Sequence, residues 1–223
     1  MSSKPTPDII ADALRAAILR GQFKDNEPLR QDKIAAGFGV SKVPVREALV
    51  QLSSEGLVTL HLNRGAFITG LSANEAREIY MIRAALEVIA LEQSIPQMTP
   101  SSLVSAENVL RLMDIEANVG QWSALNWQFH IELYRAANLP HVLKILEPLH
   151  TSVARYLVLY LDSMGFQADS QREHYAILNA CREQNTAAAV DLLKSHLNNA
   201  SQTLVTFLQA TNLPDNPTQE NKE

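Results

Sequence analysis

Apolar residues recur along this chain with helical spacing, and the rhythm breaks for a short stretch near residue 60. Over residues 9–20, Ile10, Leu14 and Ile18 share one face, and Gly21 follows where the helix should stop. A shorter helix over 32–38 is expected to bury Ile34, Ala35 and Phe38. After Gly39, Ser41 opens a third helix with Val45, Ala48, Leu49 and Leu52 inward and Lys42 and Arg46 outward. Residues 57–62 and 66–69 are instead β-rich, and Asn63-Arg64-Gly65 between them reads as a hairpin loop with glycine where a positive φ is needed. From Leu71 onward the helical spacing returns. Ser72-Ala73-Asn74-Glu75 is a capping box opening a helix that runs to about Ser94. Pro96 and Pro100 interrupt it, and further helices are predicted near 101–118, 122–137, 141–163, 170–184 and 187–210.

These elements predict a mainly α protein. A winged helix-turn-helix over 1–70 is followed by an antiparallel, all-helical bundle of about six helices over 71–211. Residues 212–223, with their Pro, Asn and Glu, read as a disordered tail. A glycine turn between two short helices, with cations at the exposed start of the second, is suited to entering a DNA major groove. An ordinary αα-corner would share the amphipathic pair. The order helix, helix, helix, hairpin favours the DNA reading, with Arg64 at the wing tip able to reach phosphate or the minor groove.

Val43-Pro44-Val45-Arg46-Glu47-Ala48-Leu49, Glu55-Gly56-Leu57-Val58 and Asn63-Arg64-Gly65 together resemble the N-terminal domain of GntR-type bacterial transcription regulators over roughly residues 8–70. The resemblance implies DNA contacts from Ser41, Lys42, Val43, Pro44 and Arg46 on the recognition helix, and from Arg64 and Gly65 on the wing. The chain also departs from the family. Asp25-Asn26-Glu27 stands where an acidic Pro-Gly-Glu turn is usual, and Asp32 where arginine is common; Lys33 or Arg30 could substitute for that phosphate contact. Lys42 in place of the commoner arginine keeps the charge but loses the bidentate fork that reads guanine.

Charge changes the picture only when it is divided. The net charge is −5, but residues 1–70 carry +2 and residues 71–223 carry −7. A slightly basic head on an acidic body suits a protein whose body does not touch DNA. The one cysteine, Cys181, excludes a disulfide framework and points to a reducing cytoplasm, and it reads as a small core residue. Neither a signal peptide nor a membrane-length apolar run is visible, so no membrane partner is expected.

The bundle's chemistry lies in its histidines. Asn126 and His130 are four apart and share a helix face. His174 and His196 each lie eleven residues from Asn185, near the turn between the last two helices, which sets them at one height in an antiparallel hairpin. Three imidazoles and a carbonyl oxygen could then hold a divalent transition ion of the Zn, Ni or Mn class. Each histidine could equally be a surface or hydrogen-bonded core residue. His141 and His150 lack a partner at useful spacing and are expected at the surface.

Asn126-Trp127-Gln128-Phe129-His130, Glu173-His174 and Ser195-His196-Leu197 resemble the FCD effector domain of the FadR subfamily. Many such domains hold a metal through one Asp and three His, and Asn126 stands here in place of the Asp. An amide oxygen is a weaker donor than a carboxylate, so the ion should be held less tightly.

Arg83 lies on the helix face of Ile79, Leu86 and Ala90, so its guanidinium needs a buried partner, either an anionic effector or Glu87 four residues on. Arg155 is a weaker effector-binding residue of the same kind. The family implies a homodimer on a palindromic DNA operator, acting as a repressor and controlled by a small carboxylate. The alternatives are a regulator in which the ion itself is the signal and, more remotely, a helical-bundle metalloenzyme. The bundle has no nucleophile–base pair, Gly-rich phosphate loop or zinc-protease motif to support the enzyme.

Overall fold

Thr6 begins the described structure by accepting a hydrogen bond from the Ile9 N–H, which caps the first helix. The structure, a computed structural model, describes residues 6–164 and 167–210, and the side chains of 155 and 157–164 lie outside that description. Residues 212–223, read from the sequence as a tail, also lie outside it.

The N-terminal elements are α1 (Pro7–Leu19), β1 (Pro28–Leu29), α2 (Gln31–Phe38), α3 (Lys42–Ser54), β2 (Val58–His61) and β3 (Gly65–Ile68). Gly39 closes α2 in the left-handed region at φ 66°, which frees the chain to turn within two residues into α3. The inward stripe Val45, Ala48, Leu49 and Leu52 is completely buried against Ile10, Ile18 and Ile68. Ala35 is buried, whereas Ile34 and Phe38 pack only partly against this core. The hairpin pairs Val58 with Ile68 and His61 with Gly65, and Thr59 and Thr69 meet through their hydroxyls at 3.0 Å. A third strand joins it in the order β1-β3-β2. Periodicity gave no sign of β1, because two residues are too few to carry an alternation.

The bundle comprises α4 (Ala73–Ser94), α5 (Pro100–Ile115), α6 (Val119–Tyr134), α7 (Pro140–Met164), α8 (Gln167–Arg182) and α9 (Thr186–Ala210). The Ser72–Glu75 capping box closes in both directions at 2.9 and 3.1 Å. Local chemistry explains the shifted boundaries. Thr99 caps α5 with Pro100 in its first turn, where a missing N–H costs nothing. Asn118 accepts from the Gln121 N–H at 3.0 Å and so starts α6 earlier than the apolar spacing suggested. Helices α4 and α9 run together along the bundle, α5 packs on α6 and α8, and α7 spans α4, α6 and α9. A second hydrophobic cluster, built around Leu91, Leu110, Phe129, Leu133, Leu178 and Leu204, fills this part.

Head and bundle meet at Gly56. Its φ is +77°, and a Cβ placed there would lie 2.5 Å from the Ser152 hydroxyl of α7. Gly39 is also left-handed but has open space around it. Gly39→Ala should therefore cost only the left-handed strain, about 1–2 kcal/mol. Gly56→Ala should cost about 1 kcal/mol more, because Ser152 must give up its hydrogen bond to the Pro148 carbonyl. Urea unfolding midpoints test this, and a Ser152→Ala background should erase the difference between the two glycine variants.

Candidate functional site

Two groups of side chains carry chemistry. On the head, Ser41 caps α3 with an extended backbone but makes no side-chain capping bond, and no acidic residue occupies the first turn. The N-terminal amides of α3 thus present an uncompensated positive end, suited to a phosphate. Lys42, Val43 and Arg46 are exposed on this turn and the next, and Pro44 is half-buried. Lys42 holds Asp32 at 2.6 Å, with both side chains mostly in solvent. A pair so exposed contributes little and can be exchanged for a phosphate. Arg30 at the α2 cap and Lys33 are exposed, as are Arg64 and Gly65 at the wing tip. Beside them Leu62, the last residue of the β-rich run, is 89% exposed.

The second group lies inside the bundle. His130 on α6, His174 on α8 and His196 on α9 are buried, and one ring nitrogen from each falls within 4.8 Å of the others. The ring centroids of His174 and His196 are 4.6 Å apart, and each lies 5.4 Å from that of His130. Each ring is anchored through its Nδ1. His196 Nδ1 meets Glu173 Oε2 at 2.7 Å, and His174 Nδ1 meets Gln171 Oε1 at 3.3 Å. His130 Nδ1 meets the Tyr134 hydroxyl at 3.1 Å, and that hydroxyl donates to Glu87 Oε2 at 2.6 Å. Because the Tyr134 proton goes to Glu87, its oxygen can only accept, so Nδ1 of His130 carries the hydrogen. Gln171 Nε2 donates to the Leu110 carbonyl and to Asp114, which likewise leaves its oxygen to accept from His174.

On the other side of the rings, His174 Nε2 lies 3.5 Å from the Ser170 hydroxyl. His130 Nε2 is buried with no hydrogen-bond partner, and so is Asn126 Oδ1 one turn earlier on α6. Burial first, then the neighbouring imidazoles, holds His130 and His174 well below the ordinary histidine range, so both are neutral at pH 7. Burial raises the Glu173 carboxyl, but hydrogen bonds from His196 and Asn199 outweigh it and keep the group below its ordinary value. Three buried imidazoles, each held at Nδ1 and each with a ring nitrogen within 4.8 Å of the others, are backed by a carboxylate, an amide and a tyrosine and form a donor set that fits a divalent transition ion. The orphaned Asn126 oxygen fits a fourth donor.

A GntR-family model ("Bacterial regulatory proteins, gntR family") matches residues 7–68, and an FCD domain model matches residues 78–199. The chain belongs to the GntR family and carries an FCD domain. It is 29% identical over 206 residues to an uncharacterized HTH-type transcriptional regulator, YdhC, of Bacillus subtilis, spanning 87% of this chain and 90% of that one. It is 26% identical over 195 residues to the HTH-type transcriptional repressor GlaR of Escherichia coli, spanning 82% and 89%. Among solved structures, a GntR family member from Pseudomonas syringae pv. tomato is 32% identical with a TM-score of 0.59, over 92% of this chain and 86% of that one. A putative GntR regulator from Rhodococcus sp. RHA1 is 26% identical with a TM-score of 0.77, over 90% and 97%. This GntR-family protein is therefore a transcriptional regulator rather than an enzyme. Among the described residues, no helix is long and apolar enough to cross a membrane.

The remaining polar groups in the regulator's core correct parts of the sequence reading. Of the two partners open to Arg83, the internal one is present: its Nε donates to Glu87 Oε1 at 2.7 Å, and its guanidinium lies 4.9 Å from the Tyr80 ring centre. Burial opposes the Arg83 charge, but attraction to Glu87 outweighs it and raises the pKa. His150 is not a surface residue. It is 4% exposed and stacks on Trp127 with ring centroids 4.6 Å apart, whereas His141 is exposed as expected. That contact joins α7 to α6, and no spacing within one helix could signal it. The Arg155 side chain lies outside the described residues. Burial pushes the Cys181 thiol up to about 12, so it is an inert core group.

Glu87→Ala would leave a buried guanidinium and a buried hydroxyl without their acceptor, and should destabilise the GntR-family fold by about 3–5 kcal/mol. Tyr134→Phe keeps the ion pair and should cost about 1 kcal/mol. Chemical denaturation of the two variants gives the comparison, and equal losses would mean that the ion pair is not the anchor.

Proposed function

We propose that this regulator is a dimeric repressor of the FadR subfamily, built as a DNA-binding head over 1–70 and an effector-binding and dimerisation bundle over 71–211. In this reading the bundle holds a divalent transition metal of the Zn, Ni or Mn class through His130, His174 and His196, with Asn126 as a weaker fourth donor. The observation that carries it is that one ring nitrogen from each of three buried histidines lies within 4.8 Å of the others, while the Nδ1 of each is held by a neighbouring side chain. The bound ion supplies positive charge and open coordination positions to a small carboxylate effector. The chain's own residues do the rest: Glu173, Gln171 and Tyr134 orient the rings, and Phe129 and Trp122 pack beside His174. Arg83 is committed to Glu87, so the effector is recognised chiefly at the ion, with Arg155 as an additional contact.

Each head places the first turn of α3 in a major groove of a palindromic operator, about one helical turn from its twin. Arg46, Lys42 and Val43 reach base edges from α3 with Pro44 beside them, and Ser41, Arg30, Lys33, Arg64 and Gly65 engage the backbone or minor groove. Relatives of the repressor type support repression, and the setting of such a regulator is the bacterial cytoplasm. Effector binding releases DNA by favouring a dimer that fits the operator less well.

A second reading has one observation in its favour. Asn126 offers a neutral oxygen where a carboxylate would bind more tightly, which suits reversible occupancy and a regulator that answers to the ion itself. Metal analysis after purification, followed by operator binding with and without EDTA, separates the two. An ion that stays bound while carboxylates control DNA supports the effector model, and operator control by micromolar free metal supports the sensor.

Arg46→Ala should abolish operator binding in a mobility-shift assay and leave metal content unchanged, whereas losing both would indicate misfolding. His174→Ala should remove the ion and also its thermal stabilisation, which amounts to about 2.7 kcal/mol when free metal is about 100 times Kd. Asn126→Asp should tighten metal binding, and unchanged affinity would remove Asn126 from the donor set.

A further inference from the structure

Among the described residues, α7 of the bundle packs on α1 of the head. Two specific contacts reinforce this. The Tyr156 hydroxyl donates to Asp25 Oδ2 at 2.8 Å, joining α7 to the turn before β1, and Ser152 abuts Gly56 behind α3. Space opens on both sides of this ridge. A cleft of about 290 Å³ lies over Leu57, Leu71 and Tyr156, and another of about 600 Å³ lies between Arg15, Glu55, Lys144 and Glu147. The contact is narrow, so the head has room to rock on it.

The same stretch of α7 also reaches toward the histidine cluster. His150, two residues before Ser152, stacks on Trp127, and Trp127 follows Asn126 on the helix that carries His130. His150 Nε2 is buried without a hydrogen-bond partner. Just ahead of it, Pro148 sits inside the helix and supplies no N–H to the Lys144 carbonyl. Thr151 and Ser152 donate their hydroxyls back to the carbonyls of Glu147 and Pro148 at 2.9 and 2.8 Å, an arrangement that bends helices.

We propose that α7 is the element through which the histidine site controls the head: His150 follows α6, the Pro148 turn is the flexible point, and the Tyr156–Asp25 hydrogen bond holds the head in register. This rests on the metal-site reading above, but it assigns the coupling to α7 rather than to the short link at residues 70–72. A change in how α6 sits when Asn126 and His130 bind is passed by the Trp127–His150 stack to α7, and two turns later to Asp25.

Hydrogen exchange on the full-length protein tests this, with Zn²⁺ as the probe against an EDTA-treated sample and zinc content measured in parallel. In the wild type, zinc should alter exchange over residues 126–134, over 146–156 and over 22–28. Tyr156→Phe, which removes one hydroxyl and keeps the ring, should retain the response at 126–134 and lose it at 22–28. Asp25→Ala should have the same effect from the other side of the bond. A normal response at 22–28 in either variant, or no response there in the wild type despite zinc uptake, overturns the coupling alone. Absence of zinc uptake overturns the site reading and the coupling together.

Discussion

A buried carboxylate organises the bundle. Glu87 is fully enclosed, and its two oxygens receive a guanidinium N–H from Arg83 and the hydroxyl of Tyr134. An ion pair at this depth gains little over apolar packing, because both charges have lost their water. Its value lies in geometry. Glu87 fixes the Tyr134 proton, Tyr134 fixes the tautomer of His130, and the other ring nitrogen of His130 is left without a partner beside the other two histidines. Burial forces every polar atom in this series to find a partner, and the last atom in line finds none within the protein.

The same logic operates from two other directions. Glu173 holds His196 from α8, while Gln171, itself tied to α5, holds His174. The three rings are thus set by three independent supports on α4, α5 and α8, and none is set by the ring beside it. Such a site does not have to be gathered by its ligand, because the ordering of these side chains occurs when the chain folds. The supports also explain why burial does not simply drive the histidines apart. Neutral imidazoles can share a small space without repulsion, and their pKa values keep His130 and His174 neutral at physiological pH.

Local grammar made much of this legible in advance. The stripe Val45, Ala48, Leu49, Leu52, the Ser72–Glu75 capping box and the glycine-ended helices are each decided within a few residues, and the structure has them. The meeting of His174 and His196 was also readable, because a hairpin turn near Asn185 makes equal sequence distances into equal heights. Contacts between helices distant in sequence were not readable. Tyr134 with Glu87, Gln171 with Leu110 and His150 with Trp127 depend on helix rotation and crossing, which periodicity does not specify. Arg83 lay at the boundary between these cases. Glu87 one turn on was an available partner, but only the packing of α4 could decide between it and a ligand. β1 was hidden for another reason, since its two residues are held as a strand by β3 and not by any preference of their own.

In the dimer proposed above, regulation requires that a small event in the bundle alter the distance or angle between two heads. A well-packed bundle resists gradual deformation, so the response must concentrate where packing is interrupted. The described structure has such a place in α7, where a proline removes a backbone bond, two hydroxyls compete for the neighbouring carbonyls, and clefts flank the contact with the head. The head is correspondingly rigid within itself, with α3 completely buried along its inner stripe. Stiff reading surfaces joined to a stiff sensor through one compliant helix convert a local displacement into a rotation of the whole head. An evenly soft protein would dissipate that displacement among its side chains. The acidic charge of the body acts in the same direction, because it keeps the bundle off the phosphate backbone and leaves DNA affinity to depend on the geometry of the heads.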